Sequence, residues 1–360
     1  DVGANLSITR HDRRCCFVTR SFDSHQNHDI ALVGPADRLC KHLSESALKK
    51  YKSGMVEHLM KLGTRGSPLA LIQAEEVRDK LLAAHDGLQV EIVEMSTTGD
   101  RIQDRTLAAI GGKGLFIKEI EQALCDGDVD VAVHSAKDLL PEFPPGLVLG
   151  PVLAREDVRD VLISKSGKSL DRLEAGAVVG TASLRRQAQV LAQRPDLKVI
   201  PFRGNVQTRL RKIEEGQADA TLLALAGLVR LKNERVITET LGTDRMLPAV
   251  GQGAIALELR EDDAETAKLC EALNDITTAL EVTAERAMLA ELDGSCRTPI
   301  AGLAKIDSSN QSIYLRALIA KPDGSVVHEV ERKGTIGDAA EIGVDAGQEL
   351  KRKAGPNILS

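Results

Sequence analysis

The sequence predicts an α/β protein of three domains, two α/β lobes and a small α+β domain. Three observations carry this expectation. The chain has 360 residues, room for two or three domains of roughly 100–200 residues each. From Leu59 onward, short apolar runs of strand length alternate with amphipathic stretches of helical period, the pattern of a sheet with parallel content. Beyond residue 273 the alternation stops. One long helical stretch then precedes a cluster of strands and a final helix, the segregated order of an α+β domain.

Leu59–Leu62 is a short strand. SPLALIQAEEVRDKLLAA follows as an amphipathic helix, with Ser67 as N-cap and Pro68 in the first turn, where its missing N–H costs nothing. LQVEIVEM alternates as a strand, the glycine loop GGKGLF leads into the helix FIKEIEQAL, and VDVAVHS is the next strand. Near Asp157 a second unit opens with strands DVLIS and AVVGTAS, followed by the helix SLRRQAQVLAQR, ended by Pro195. Strand LKVIPF, helix NVQTRLRKIEEG and strand ADATLLAL follow. Within MLPAVGQGAIALEL a strand over Ala254–Leu259 is placed to rejoin the first unit. In the third unit DITTALEVTAERAMLAEL is a long helix. IAGLAKI, IYLRALIA and VVHEVER are strands, the last two joined by the turn KPDG, and AAEIGVDAGQELKRKAG is the closing helix. The expected domains are therefore 58–155 with 248–272, then 156–247, then 273–360.

Residues 1–57 differ from the rest. They hold four of the eight His and three of the six Cys, and nine Lys or Arg against seven Asp or Glu, with no sustained apolar period. They lack the apolar core of a secretory signal, and their composition predicts a poorly ordered extension without a catalytic part. A cytoplasmic location is expected, or an organelle if this segment is a transit sequence.

Composition narrows the function. The net charge of −6, from 47 basic and 53 acidic side chains, argues against a general nucleic-acid coat, and 2% aromatics with no Trp leave few stacking platforms. Nothing approaches the ~18 apolar residues of a membrane helix. The cysteines form no C-x-x-C pair, so no zinc or dithiol motif is indicated and no metal site is expected. Cys125 and Cys270 fall on helical patterns and read as partly buried. Cys296 lies in the loop LDGSCRTPIAG beside Arg297, whose charge favours a thiolate.

An anion site must then be a local cluster, and candidates stand at element ends. KLGTRGSPLALIQAEEV and VVGTASLRRQAQVL echo each other: Gly63, Thr64 and Ser67 match Gly180, Thr181 and Ser183. Each copy puts a hydroxyl-rich turn at a helix N-terminus, where free N–H groups and the dipole attract anions. The plainer reading is that Ser67 and Ser183 are only N-caps. Arg65, Lys113, Arg185, Arg186, Arg203, Arg209 and Arg230 gather at strand and helix ends, where ligands of α/β sheets collect. Arg185 and Arg186 oppose the dipole in the first turn of their helix, which an anion sharing the site would offset. Converging guanidinium forks imply a ligand with several acidic groups. Among these cations Asp138, just past the end of VDVAVHS, is a lasting anion able to stabilise a cationic intermediate and relay protons. Ser135 and Lys137 flank it, whereas His134 reads as structural. GGKG lacks the full phosphate-loop pattern and supports no nucleotide site.

The ordered series GTRGSPLAL, TTGD, GGKGLF, HSAKD, GTASLRRQ, FRGNVQTRL, LPAVGQGA and GSCRTPIAG resembles the porphobilinogen deaminase (hydroxymethylbilane synthase) family from about Lys61 to the C-terminus. The resemblance implies two doubly wound lobes like those of periplasmic binding proteins, plus a third domain carrying the cysteine loop. It implies a transferase of tetrapyrrole (heme) biosynthesis that condenses four porphobilinogen molecules head to tail, with loss of ammonia, into hydroxymethylbilane. By motif match, Cys296 carries the covalent dipyrromethane cofactor and Asp138 is the catalytic aspartate. Ser135, Lys137, Lys113, Thr181, Ser183, Arg185 and Arg186 match cofactor contacts, and Arg65, Ser67, Arg203, Arg209 and Arg230 match substrate contacts. It further implies a monomer whose product passes to uroporphyrinogen-III synthase, with no nucleic-acid or membrane partner. The sequence departs from the family text at Ala136, where Met is common, and at Leu139-Leu140, which delay the proline to Pro141. Ala109 stands where some members have Lys, and Ser295 where Gly is more frequent. A two-lobed anion-binding module without catalysis is the alternative; it would leave Cys296 and Asp138 without a role.

Overall fold

The computed structural model describes residues 5–11, 14–20, 59–97, 117–293, 298–355 and 358, in two compact units, Asp1–His58 and Leu59–Ser360. In the first unit, strands β1 (Asn5–His11) and β2 (Arg14–Arg20) pair antiparallel. The other residues of the expected disordered extension lie outside the described ones.

The described residues of the second unit form three sheets. Strand β3 (Leu59–Arg65) runs parallel to β4 (Gln89–Met95) and to β5 (Val131–Ser135). Helix α1 (Pro68–Ala84) covers one face of this sheet, burying Ala74, Val77 and Leu81 against Met60, Leu62, Val131 and Val133. Helix α2 (Lys118–Asp126) covers the other, where Ile120 and Leu124 meet Val129 and Ala132. The alternation of β5 thus sends Val131 and Val133 to one helix and Ala132 to the other. Strand β6 (Leu147–Val152) forms an edge. Strand β12 (Ile255–Arg260) returns between β5 and β6, antiparallel to both, so the sheet order is β4-β3-β5-β12-β6.

Everything between β6 and β12 builds the second sheet, β11-β7-β10-β8-β9. Its elements are β7 (Asp160–Ser164), β8 (Val178–Gly180), α3 (Leu184–Gln193), β9 (Lys198–Ile200), α4 (Val206–Glu214), β10 (Ala220–Ala224), α5 (Leu225–Arg230) and β11 (Glu239–Leu241). Strands β7 and β10 are buried along nearly their whole length, which explains the apolar runs Val161–Ile163 and Leu222–Ala224 within them. The third sheet, β13 (Ile300–Asp307), β14 (Ser312–Ala320) and β15 (Val327–Thr335), is an antiparallel meander. Helices α7 (Ile276–Glu291) and α8 (Ala339–Ala354) pack on it, while α6 (Ala264–Cys270) stays with the first sheet. The expected architecture of two α/β lobes and a small α+β domain is the one observed.

Several elements differ from the sequence reading. Strand AVVGTAS stops at Gly180 because the chain turns into the cap of α3. Strand ADATLLAL stops at Ala224, and its last residues become α5. Strands β6 and β11 were not anticipated. Cys270 is buried, and that burial pushes its thiol up to about 12, but Cys125 is exposed rather than partly buried.

Candidate active site

The strand ends and helix N-termini of both lobes converge on a cavity of about 620 Å³. Among the described residues seven Arg or Lys line it, against two acids, Glu94 and Asp138. The cations are Arg65, Lys137, Arg185, Arg186, Arg203, Arg209 and Arg230, so every expected cation in the described residues is there. Lys113 and Cys296 lie outside the described residues. Thr298, two positions beyond Cys296 in sequence, lines the cavity.

Three helix N-termini face this space through their caps. The Ser67 hydroxyl accepts from the Ala70 N–H at 3.3 Å, that of Ser183 from the Arg186 N–H at 3.4 Å, and the Asn205 carbonyl oxygen from the Thr208 N–H at 2.9 Å. Ser67 and Ser183 are therefore N-caps and cavity walls at once. Thr181 is buried and absent from the lining; its hydroxyl accepts from the Ser183 N–H at 3.1 Å and shapes the turn.

Arg185 and Arg186 are buried and share one carboxylate. Arg185 Nη1 donates to Asp160 Oδ2 at 2.7 Å, and Arg186 Nη2 to Asp160 Oδ1 at 2.7 Å. Arg185 Nη1 also donates to the Leu247 carbonyl, and Arg186 Nη1 to the Leu222 carbonyl. The Gln252 side-chain amide donates to Asp160 Oδ1 at 3.0 Å. Burial alone would raise the Asp160 pKa, but the two guanidinium groups outweigh it and hold the carboxyl far below its usual range. The anion that offsets two arginines at a helix N-terminus is thus a side chain of the protein.

Asp138 ends a short 3₁₀ turn, Ala136–Asp138, at the mouth of β5. Its side chain is 38% exposed, and its Oδ2 lies 3.9 Å from Arg65 Nη1. Burial brings the Lys137 ammonium down to about 8; neighbouring Asp138 opposes that shift and Arg186 adds to it. Arg209 falls to about 10 through burial and the proximity of Arg186 and Arg203, and its Nε donates to the Gly204 carbonyl at 2.9 Å. The Ser135 hydroxyl donates to Gln73 Oε1 at 3.0 Å. His134 points into the core, where its Nε2 meets buried Glu258 at 3.0 Å.

Two supports behind this turn were not apparent from the sequence. Gly251, at φ 69°, passes so close that a Cβ there would lie 3.0 Å from the Ala136 backbone. On the other side Arg286 of α7 donates to the Leu140 and Pro141 carbonyls at 2.7 and 3.0 Å, with its guanidinium 4.9 Å from the Phe143 ring centroid. The Leu-Leu-Pro departure is accommodated here: Leu139 is buried beside Val152 and Val282, and Arg286 takes the carbonyls that follow. Gln73, Asn205, Asp160, Gln252 and Arg286 all lacked a sequence signal, because each acts through a partner distant in the chain or through an ordinary cap.

A wall of cations and helix N-termini around two carboxylates, Asp138 and Glu94, defines a two-lobed α/β enzyme with a cleft for a ligand bearing several acidic groups. Residues 60–268 match the family model for the porphobilinogen deaminase dipyrromethane cofactor binding domain, and residues 279–352 that for the porphobilinogen deaminase C-terminal domain. The chain belongs to the porphobilinogen deaminase family. It is 50% identical over 350 residues to the chloroplastic porphobilinogen deaminase of Oryza sativa subsp. japonica, covering 96% of this chain and 97% of that protein. It is 54% identical over 298 residues to the porphobilinogen deaminase of Paracoccus denitrificans, covering 82% and 94%. Among solved structures it is similar to the Bordetella pertussis BvgS periplasmic VFT2 domain, with TM-score 0.39, 18% identity and coverage of 66% and 97%.

Proposed function

We propose that this chain condenses four porphobilinogen molecules head to tail on a dipyrromethane primer held by Cys296, releasing ammonia at each addition, and that hydrolysis then frees the four added units as hydroxymethylbilane and leaves the primer in place. The observation that carries the reading is Asp138, an accessible carboxylate at the mouth of β5, in a cavity lined by seven cations among the described residues. Porphobilinogen brings an acetate, a propionate and an aminomethyl group, so each added unit brings two carboxylates and one leaving ammonium. The donor set suits a polycarboxylate: Arg65, Arg203, Arg209, Arg230 and the caps Ser67 and Ser183 face the cavity, and Lys137 adds a cation beside Asp138. Bound dipyrromethane would supply the free pyrrole carbon from which the chain grows. Ser135, Lys137, Ser183, Arg185 and Arg186 would hold it, with Lys113 as a further contact and Thr181 acting through the Ser183 turn.

Asp138 performs the chemistry in this proposal. Its carboxylate pairs with the substrate ammonium, then faces the cationic methylene carbon that remains when ammonia leaves. It is also the base placed to accept the proton lost as the new carbon–carbon bond forms. In the domain division proposed with this function, 58–155 with 248–272 and 156–247 flank the cleft, and 273–360 carries Cys296. A monomer passing its product to uroporphyrinogen-III synthase completes the reading. Organellar targeting by residues 1–57 is supported by the length of the match to the rice protein, named chloroplastic, which covers 96% of this chain. The N-terminal sequence of the native protein tests that point.

Incubation with porphobilinogen should release ammonia and give uroporphyrin after light oxidation, and the peptide containing Cys296 should carry a dipyrromethane mass. Asp138→Asn should abolish turnover while leaving the thermal transition in place. Near-normal turnover by that variant would remove Asp138 from its role, and an active enzyme with an unmodified Cys296 would remove the cofactor assignment.

A further inference from the structure

Helices α1 of the first lobe and α5 of the second meet along one seam. Leu69 and Glu76 are seven residues apart on α1 and share a face; Gly227 and Arg230 are three apart on α5 and share another. At one end of the seam Leu69 lies against Gly227, where a Cβ would make an ordinary contact with the Leu69 side chain at 3.4 Å. At the other end Arg230 Nε donates to Glu76 Oε2 at 3.3 Å, while Arg230 Nη2 donates to the Gly253 carbonyl at 3.1 Å. The Arg230 side chain is 9% exposed and lines the cavity; Glu76, at 32%, reaches it from the opposite lobe.

We infer that Glu76 is a specificity-determining residue that competes, from within the protein, with ligand carboxylates for Arg230. This rests on the reading of Arg230 as a carboxylate-binding residue of the cleft. A guanidinium offers a fixed fork of donors. The backbone carbonyl of Gly253 anchors one nitrogen, and the Glu76 carboxylate takes another in the kind of contact an acetate or propionate would make. A ligand carboxylate that engages this fork must displace Glu76 or share the guanidinium with it. Glu76 therefore weakens capture of a single pyrrole at Arg230. Because the pair spans both lobes, the same exchange loosens one end of the seam.

The test compares Glu76→Gln with Glu75→Gln. Both remove one negative charge from α1, but Glu75 is exposed and does not contact Arg230. Gln keeps the size of Glu76 and an oxygen acceptor, so the helix and the seam persist. Glu76→Gln should lower the KM for porphobilinogen about two- to fivefold, in line with the modest strength of a partly exposed ion pair. Its kcat should stay within about twofold of wild type, and Glu75→Gln should match wild type in both constants. An unchanged or raised KM for Glu76→Gln, or an equal fall in Glu75→Gln, overturns the competition. Failure of the wild-type chain to turn over porphobilinogen would instead overturn the proposed function, so the two failures are distinguishable.

Discussion

Lys137 and Asp138 are adjacent, and their surroundings give them different tasks. Asp138 remains accessible, whereas burial makes the Lys137 ammonium costly, a cost to which Arg186 adds and which Asp138 opposes. With a pKa of about 8, Lys137 is charged below that pH and loses its proton as pH rises through it. Carboxylate capture should weaken over the same interval. The expected outcome is a fall in kcat/KM on the alkaline side with an apparent pKa near 8, since this ratio reports the free enzyme. Lys137→Arg should move that limb upward, because a guanidinium keeps its charge. A pH–rate series on both proteins checks this. The buried carboxylate of Asp160 gives the opposite case, an anion fixed by two arginines. Asp160→Asn should cost roughly 3–5 kcal/mol of stability by leaving those guanidinium groups uncompensated. Denaturant midpoints measure it, and a loss below about 1 kcal/mol would mean that water or Gln252 replaces the carboxylate.

At the scale of elements, the helix N-termini organise the site and were also its most readable part. Ser67 before Pro68 and Ser183 before Leu184 announce helix starts in the text, and the structure places both caps at the cavity. The arginines were legible for the same reason, since they follow recognisable strand and helix ends. What holds them was not legible. Asp160 is one acid in a strand and meets Arg185 and Arg186 only after β7 and α3 have folded together. Arg286 reaches Leu140 from a helix 146 positions away in sequence. Helix α5 was hidden because Leu225–Arg230 continues the apolar text of β10, and a run of that kind has no period to distinguish strand from helix. Its six residues nonetheless carry Arg230 to the seam with α1.

Across the whole second unit, the two chain crossings between the α/β sheets are bound to each other and to α7. Glu156 N–H donates to the Gly253 carbonyl at 3.2 Å. Glu285 accepts two bonds from Arg155, at 2.7 and 3.0 Å, together with the N–H groups of Gly251 at 2.7 Å and Ala304 at 2.9 Å. One buried carboxylate thus joins both crossings to the third sheet. Gly253 has φ 93°, and a Cβ there would lie 2.4 Å from the Glu156 carbonyl oxygen. Gly253→Ala should therefore destabilise the protein by more than the ~1 kcal/mol of a simple glycine replacement and shift the carbonyl that anchors Arg230. Thermal melts and the KM for porphobilinogen check the two effects.

The late return of β12 has a consequence for synthesis. The second α/β sheet, β7 to β11, is one uninterrupted stretch of chain and can close as soon as it is made. The first is begun by β3 but receives its inner strand β12 only after the whole of the other lobe has been translated. Until the ribosome has passed Arg260, β5 lacks one of its two neighbours and β6 lacks its single one. The nascent chain therefore carries an open, apolar strand edge while the residues from Ser135 to Arg260 are added, the kind of exposure that favours chaperone engagement.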